Sequence, residues 1–339
     1  MWRRHWLIAA VAIACGLIWL VAALDDFDLT EFAQTDLTFQ SNGQILSGTL
    51  VLPVQEKDPP VAVIVHGDGP QDRFSNDGYL PFLHALLDAG IAVFTWDKPG
   101  IGQSSGDWLE QSMADRTQEA IAALQLIRAQ PGIAAEKVGF LGFSQAGWVI
   151  PQATHDTGPA FSVLIGAAVN WQQQGAYFMH RRLEAQGMST AEIAAEIDVQ
   201  AQRDALILAP GYRPTQDDLR GMDPARFAFV VRNHGADATE SIAGMTGPVL
   251  AVWGADDLNV DTKKDAMIYQ ANLPAPNMQS ILIIPNATHA LLRASRFNYQ
   301  LNSEWPTHIR TLFLVQGRDA FAPGALDHIT HWITAQVNE

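Results

Sequence analysis

Between residues 61 and 165 the chain alternates short, largely uncharged runs with longer segments of helical period. This alternation constrains the fold more than any other feature. Val61-Ala62-Val63-Ile64-Val65, Ile91 to Trp96, Val138 to Phe143 and Phe161 to Ile165 are the runs. Their length and β-branched or aromatic content read as strands buried on both faces. Pro81 to Asp88 lies between the first two, with Phe82, Leu83, Leu86 and Leu87 at helical spacing and Gly90 placed to cap it. Ser112-x-x-Asp115 opens a second helix, continued by Ala120, Ile121, Leu124 and Ile127 and stopped by Pro131-Gly132. Strands that alternate with helices predict an α/β fold with a mostly parallel, doubly wound sheet. Leu37 to Phe39, the Ser41-Asn42-Gly43 turn and Ile45 to Leu52 predict an entry hairpin. Pro248 to Trp253 and Ser280 to Ile284 continue the sheet, and Pro323 to Val337 closes the chain as a helix.

The alternation is most informative at Val138-Gly139-Phe140-Leu141-Gly142-Phe143-Ser144-Gln145-Ala146-Gly147-Trp148. A strand that turns at once into a helix holds the residue at the turn in a strained conformation, and only small residues fit at its flanks. Gly142 and Ala146 are those flanks. The turn would lift the Ser144 hydroxyl above the sheet edge.

Asp97 to Gly106 follows the second run, and Asp97 reads as an anchor of that loop rather than a catalytic acid. Gly254-Ala255-Asp256-Asp257-Leu258-Asn259-Val260 follows the strand at 248–253, and Pro285-Asn286-Ala287-Thr288-His289 follows the one at 280–284. Ser144, an aspartate of the 254–260 loop and His289 therefore each sit just past the C-terminal end of a strand. In a parallel sheet those ends share one edge, so residues distant in sequence converge there. A serine hydroxyl needs an adjacent base to act as a nucleophile, and the base needs an orienting acid. His84, His328 and His331 lie on predicted helices and read as structural or solvent-facing.

These motifs resemble the α/β-hydrolases. Gly-Phe-Ser-Gln-Ala is similar to their nucleophile elbow, with Ala146 where a second glycine is usual and Gly147 one position later. Asp97-x-x-Gly-x-Gly-x-Ser resembles their loop after the second core strand, with Pro99 where the family usually has a structural arginine. His66-Gly67-Asp68-Gly69-Pro70-Gln71-Asp72-Arg73 and the elbow look like the bacterial serine esterase branch related to dienelactone hydrolases and S9-type peptidases. The resemblance covers residues ~36–338 apart from an insert. It implies the order Ser, Asp, His for the triad. Its Gly-x-x-Asp-x-x-Val register selects Asp257 rather than Asp256. It also implies an oxyanion hole built from the backbone N–H groups of Gln145 and of Asp68 or Gly69. The Asp68 side chain opposes the charge that develops there, and is expected to turn away toward Arg73. The activity implied is carboxylic ester hydrolysis through an acyl-enzyme, without a cofactor. A peptidase or aminoacyl hydrolase is the enzymatic alternative, and a protein that only binds an acyl ligand is the non-catalytic one.

Residues 171–245 break the alternation. Tyr177 to Gln186 and Thr190 to Leu208 are helical in period, and Pro210-Gly211 and Gly221-Met222-Asp223-Pro224 are turn-rich. The segment reads as a helical cap insertion between two parts of the core, 25–170 and 246–339. Tyr177, Phe178, Phe227 and Phe229 are its candidates for lining a pocket, with packing inside the cap as the competing role.

Composition sets the remaining bounds. A formal net charge of −15 argues against nucleic-acid partners. Cys15 is the single cysteine, and His-x-x-x-His and Cys-x-x-Cys spacings are absent, so neither a disulfide nor a metal site is expected. Leu7 to Leu24 carries no charge, follows Arg3 and Arg4, and precedes Asp25, Asp26 and Asp28. At roughly 18 residues it can just span a bilayer, with the basic end cytoplasmic. A cleaved signal peptide ending near Val21-Ala22-Ala23, or lipid attachment at Cys15, are alternatives. Each predicts residence in the cell envelope, anchored to the inner membrane facing the periplasm or free in the periplasm.

Overall fold

The computed structural model describes His5 and residues 24–54, 56–209, 211–213, 215–219, 221–274 and 279–337. The uncharged run before Leu24, with Cys15, lies outside the described residues. Among the described residues no helix is long and apolar enough to cross a membrane.

Eight strands form one sheet: β1 (Ala33–Ser41), β2 (Gln44–Leu52), β3 (Val61–Val65), β4 (Ala92–Trp96), β5 (Val138–Phe143), β6 (Ser162–Ile165), β7 (Val249–Gly254) and β8 (Gln279–Ile284). Their spatial order is β1-β2-β4-β3-β5-β6-β7-β8. The β1–β2 and β2–β4 pairs are antiparallel, and every pair from β4 to β8 is parallel. The expected α/β sheet is therefore present, with the hairpin at one edge. All five residues of β3 are buried. Val61, Val63 and Val65 point into one core, and Ala62 and Ile64 into the other. That two-sided burial is why the run shows no polar alternation.

Helices cover both faces. Helices α2 (Met113–Arg128), α3 (Ile150–Thr157) and α8 (Thr262–Asn272) pack Leu124, Ile127, Ala153 and Tyr269 against the first face. Helices α1 (Leu80–Asp88), α10 (Thr307–Gln316) and α11 (Ala325–Val337) pack Leu83, Leu86, Ile309, Ile329 and Ile333 against the second. Ser112 and Asp115 form a full capping box at the start of α2, as their spacing predicts. A one-turn helix α9 (Ala294–Phe297) and α10, which precede α11, were not anticipated from periodicity.

Between β6 and β7 lie α4 (Trp171–Ala185), α5 (Thr190–Ile207), α6 (Pro224–Asn233) and α7 (Thr239–Ala243). An isolated bridge, Asn170 to Asp237, pinches the base of this excursion. Trp171 N–H donates to Ala236 O at 2.9 Å and Ala238 N–H to Val169 O at 2.8 Å across the same neck. Beyond the neck, Ala238, Ile242 and Met245 are buried in the core. The insert thus ends at the neck, before residue 245.

Sheet order also places the site. The chain runs outward from β3 to β4 and then returns to the other side of β3 to form β5. Loops leaving β3 and β5 diverge at such a switch point and leave a crevice at the strand ends.

Candidate active site

Ser144 stands at the mouth of that crevice with φ +50°, a left-handed conformation that costs a non-glycine residue on the order of 1–3 kcal/mol. Tight packing holds it there. A Cβ on Gly142 would lie 2.4 Å from the Ala146 Cβ and 2.5 Å from Ile150 Cδ1. The two flanks therefore touch, and alanine at the second serves as well as glycine would. The chain continues as a 3₁₀ turn, Ser144–Trp148, before α3 begins at Ile150.

Asp257 follows β7. One carboxylate oxygen accepts the N–H groups of Asn259 (2.7 Å) and Val260 (3.0 Å), and the other meets His289 Nδ1 at 2.7 Å. The Asp257 side chain is fully buried, whereas His289 is 22% exposed. Nδ1–H donates to the carboxylate, which leaves Nε2 free to accept a proton. Asp256 is exposed and does not reach the histidine. The imidazole lies against Gly166, where a Cβ would sit 2.9 Å from its Nδ1 and Cε1. Gly166 follows Ile165, the register partner of Phe143, the residue before Ser144. The structure thus places Asp257 on His289 at the strand end next to Ser144.

The loop after β3 packs on the serine from the other side. A Cβ on Gly67 would lie 3.4 Å from the Ser144 Cβ. Its backbone is set by two buried cations. Lys98 Nζ donates to Gly67 O (2.5 Å) and Gly69 O (2.9 Å), and Arg116 Nη2 donates to His66 O (2.6 Å). A trans peptide directs its C=O and N–H oppositely. Holding the Gly67 carbonyl toward Lys98 therefore turns the Asp68 N–H the other way. Among the described residues neither the Asp68 N–H nor the Gly69 N–H meets an acceptor, and the Asp68 N–H is the one whose direction the Gly67 carbonyl sets.

The charges here compensate one another. Burial, and then the Arg116 charge, hold the Lys98 amine well below its ordinary range. Burial raises the Glu119 carboxyl, against hydrogen bonds from Trp96 Nε1 and Gln111 Nε2, both 2.5 Å. His66 is pushed down to about 3 by burial and the neighbouring Lys98, so it stays neutral and cannot serve as the base.

The Asp68 side chain does not turn to Arg73. Arg73 bonds instead with both Asp97 oxygens and with Asp36, which makes Asp97 the loop anchor its position suggested. The Asp68 carboxylate is gripped through both oxygens by Arg226, on α6 of the insert, and accepts Gln145 Nε2 at 3.1 Å. Arg226 was missed because its partner lies 158 positions away. Phe229 is fully buried against Trp108 and Trp171, so it packs the insert and lines no pocket. Tyr177 donates its hydroxyl to Asp257 O at 2.8 Å, and burial pushes it up to about 12. His84 is buried beside Glu31 and Asp88, while His328 and His331 are exposed and bond to carbonyls one turn back.

Residues 58–295 match the family of serine aminopeptidases, S33. The chain belongs to the S33 serine aminopeptidase-like family of α/β-hydrolases. Its curated relative Esterase EstD of Thermotoga maritima is 22% identical over 273 residues, 79% of this chain. The chain spans 62% of the length of that relative. The esterase Pf2001 of Pyrococcus furiosus shares the fold with a TM-score of 0.55 at 13% identity, over 91% of each chain. A bacterial membrane phospholipase A shares it with a TM-score of 0.53 at 16% identity, over the whole of both chains. In this S33-like chain Ser144, Asp257 and His289 each follow a strand of the parallel part of the sheet, at its C-terminal edge.

Proposed function

We propose that this chain is a serine hydrolase that cleaves carboxylic esters. Ser144 attacks the ester carbonyl while His289 Nε2 takes its proton. Asp257 holds the imidazole in the tautomer that leaves Nε2 free and stabilises the imidazolium. The N–H groups of Gln145 and Asp68 hold the tetrahedral oxyanion. The C–O bond to the alcohol then breaks, and His289 returns the proton to the departing oxygen. Water, deprotonated by the same histidine, then bonds the acyl carbon; the bond to Ser144 Oγ breaks, and His289 returns the proton to Oγ as the acid leaves. The observation that carries this reading is the buried Asp257 on His289 Nδ1 at 2.7 Å, beside the left-handed Ser144.

Ester rather than peptide cleavage is favoured by the state of Asp68. An aminopeptidase pairs the substrate ammonium with a carboxylate near the serine, and here the carboxylate of that loop is engaged by Arg226. A fluorophosphonate should label Ser144 stoichiometrically. In a panel of p-nitrophenyl esters of rising chain length and aminoacyl-anilides, the esters should be turned over. Ser144→Ala should abolish labelling and lower kcat at least ~1000-fold while the protein stays folded. Hydrolysis of anilides alone would replace the esterase reading with a peptidase, and near-normal turnover by Ser144→Ala would end both.

We propose further that the folded domain lies outside the cytoplasmic membrane, with Leu7 to Leu24 as its anchor or as a cleaved signal. Arg3 and Arg4 before that uncharged run and acidic residues after it support this orientation. Reporters fused after residue 40 test it. Strong activity from a reporter that works only in the cytoplasm would overturn it.

A further inference from the structure

We infer that Arg226 is a positioning residue for the oxyanion site: from the insert, it neutralises and fixes the Asp68 carboxylate so that the Asp68 amide can receive negative charge. The inference rests on the hydrolase reading above and extends it to a residue outside the core.

The geometry presents a problem and its solution together. Asp68 supplies an open amide of the loop after β3, the one set by the Lys98 bond to Gly67 O, yet its own carboxylate lies within a few ångströms of that amide. A fixed negative charge so close opposes the oxyanion that forms on substrate attack. Two contacts deal with it. Gln145, whose amide is the second proposed donor, gives its Nε2–H to Asp68 Oδ1 and takes Arg116 Nη1 on its Oε1. The side chains of the two donor residues are thus tied together. Arg226 then closes on both Asp68 oxygens in a bidentate pair. Burial alone would raise the Asp68 carboxyl; Arg226 overcomes this and holds it below its ordinary value. The carboxylate is therefore charged, and the guanidinium is what cancels its field.

Arg226 is itself held in place. Its guanidinium lies 5.5 Å from the Trp108 ring centroid and 4.9 Å from that of Phe229. Phe229 is buried one turn along α6, and the same helix ends at buried Asn233. Asn233 accepts Met113 N–H (2.8 Å) and donates to Gln111 O (3.0 Å) at the start of α2. Helix α6 is thereby docked on the core, and Arg226 is its contact with the oxyanion loop. With 42% of the Asp68 side chain accessible, water moderates the field once Arg226 is removed.

The test is a rescue experiment on the full chain. Arg226→Met keeps most of the side-chain volume over Trp108 and Phe229. It should lower kcat toward a p-nitrophenyl ester about 10-fold, with KM within about twofold. Arg226→Lys keeps the charge without the fork and should fall between. Arg226→Met with Asp68→Asn removes cation and anion together, leaves the Asp68 backbone N–H in place, and should recover most of the lost kcat. Far-UV circular dichroism and the melting temperature check that each variant folds. Unchanged kcat in Arg226→Met would overturn the inference. So would a loss that Asp68→Asn does not repair, or a loss confined to KM, which would make Arg226 a substrate contact. A wild-type protein inert to every ester and unlabelled by fluorophosphonate would sink the hydrolase reading, and this one with it. An active wild type with an equally active Arg226→Met sinks this inference alone.

Discussion

The core and the insert are held by different balances of apolar and polar contact. In the core, β3, β5 and β7 bury nearly every side chain, and the sheet is sealed on both faces by apolar helices. In the insert, α4 has no fully buried residue, and α5 buries only Ile193 and Ile207. Apolar contacts anchor the insert near its base, where Phe229 packs on Trp108 and Trp171 on Trp148, but its contacts to the loops of the site are polar. From α4, Tyr177 reaches Asp257 O and Gln174 reaches Asn259 O at 2.9 Å, while Gln300 spans Phe178 O and Leu258 O. From α6, Arg226 reaches Asp68. Burial of apolar area fixes where the candidate site's edge is; a few directional bonds from the insert fix how its loops are set. Polar contacts are weaker per group than buried side chains. The insert is therefore the region whose loosening would alter the site without unfolding the protein.

The contrast can be broken or sharpened in four ways. The largest effect should come from the core loop itself. Asp257→Asn should cut kcat by on the order of 10³–10⁴ by favouring the wrong imidazole tautomer, while exposed Asp256→Asn stays near wild type. The reverse ranking would refute the assignment of the acid. Next, Phe140→Ala, buried at 0% exposure in β5, should cost about 3–5 kcal/mol of stability in chemical denaturation. A loss under about 1 kcal/mol would mean the sheet core is not the source of stability. Third, Tyr177→Phe removes one hydrogen bond from α4 to the acid loop. It should lower kcat/KM about fivefold, the equivalent of ~1 kcal/mol, with the melting temperature little changed. A large stability loss instead would show that α4 belongs to the core. Smallest, Val199→Ser on the exposed side of α5 should stay within about 0.5 kcal/mol of wild type. A marked stability gain or loss would reveal packing on that face.

A further experiment addresses the insert as a whole. Replacing residues 171–236 with a short linker should change chain-length preference among esters while Ser144 still reacts with a small phosphonate. An unchanged ester profile would reduce the segment to surface elaboration.

The sequence by itself determined the sheet and the placing of Ser144, Asp257 and His289 at strand ends. Continuous runs such as Val61–Val65, and small flanks such as Gly142 and Ala146, are local signatures of two-sided burial and of a strained turn. The geometry now brings Asp257 Oδ2 onto His289 Nδ1. Helix α9 is a single turn, too short to show a period; α10 carries Ile309, Leu312 and Phe313 at helical spacing, a signal that was legible and was passed over. What only the tertiary structure decided was the pairing of charges. Asp68 was expected to turn to Arg73, five residues on, but Arg73 is taken by Asp97 and Asp36, and Asp68 by Arg226. The buried Lys98 and Arg116 that orient the loop after β3 gave no sign in the sequence either. Hydrophobic burial follows a pattern repeated along the chain and can be read from it. An ion pair depends on where two side chains end up after the chain has folded, and no local pattern encodes that.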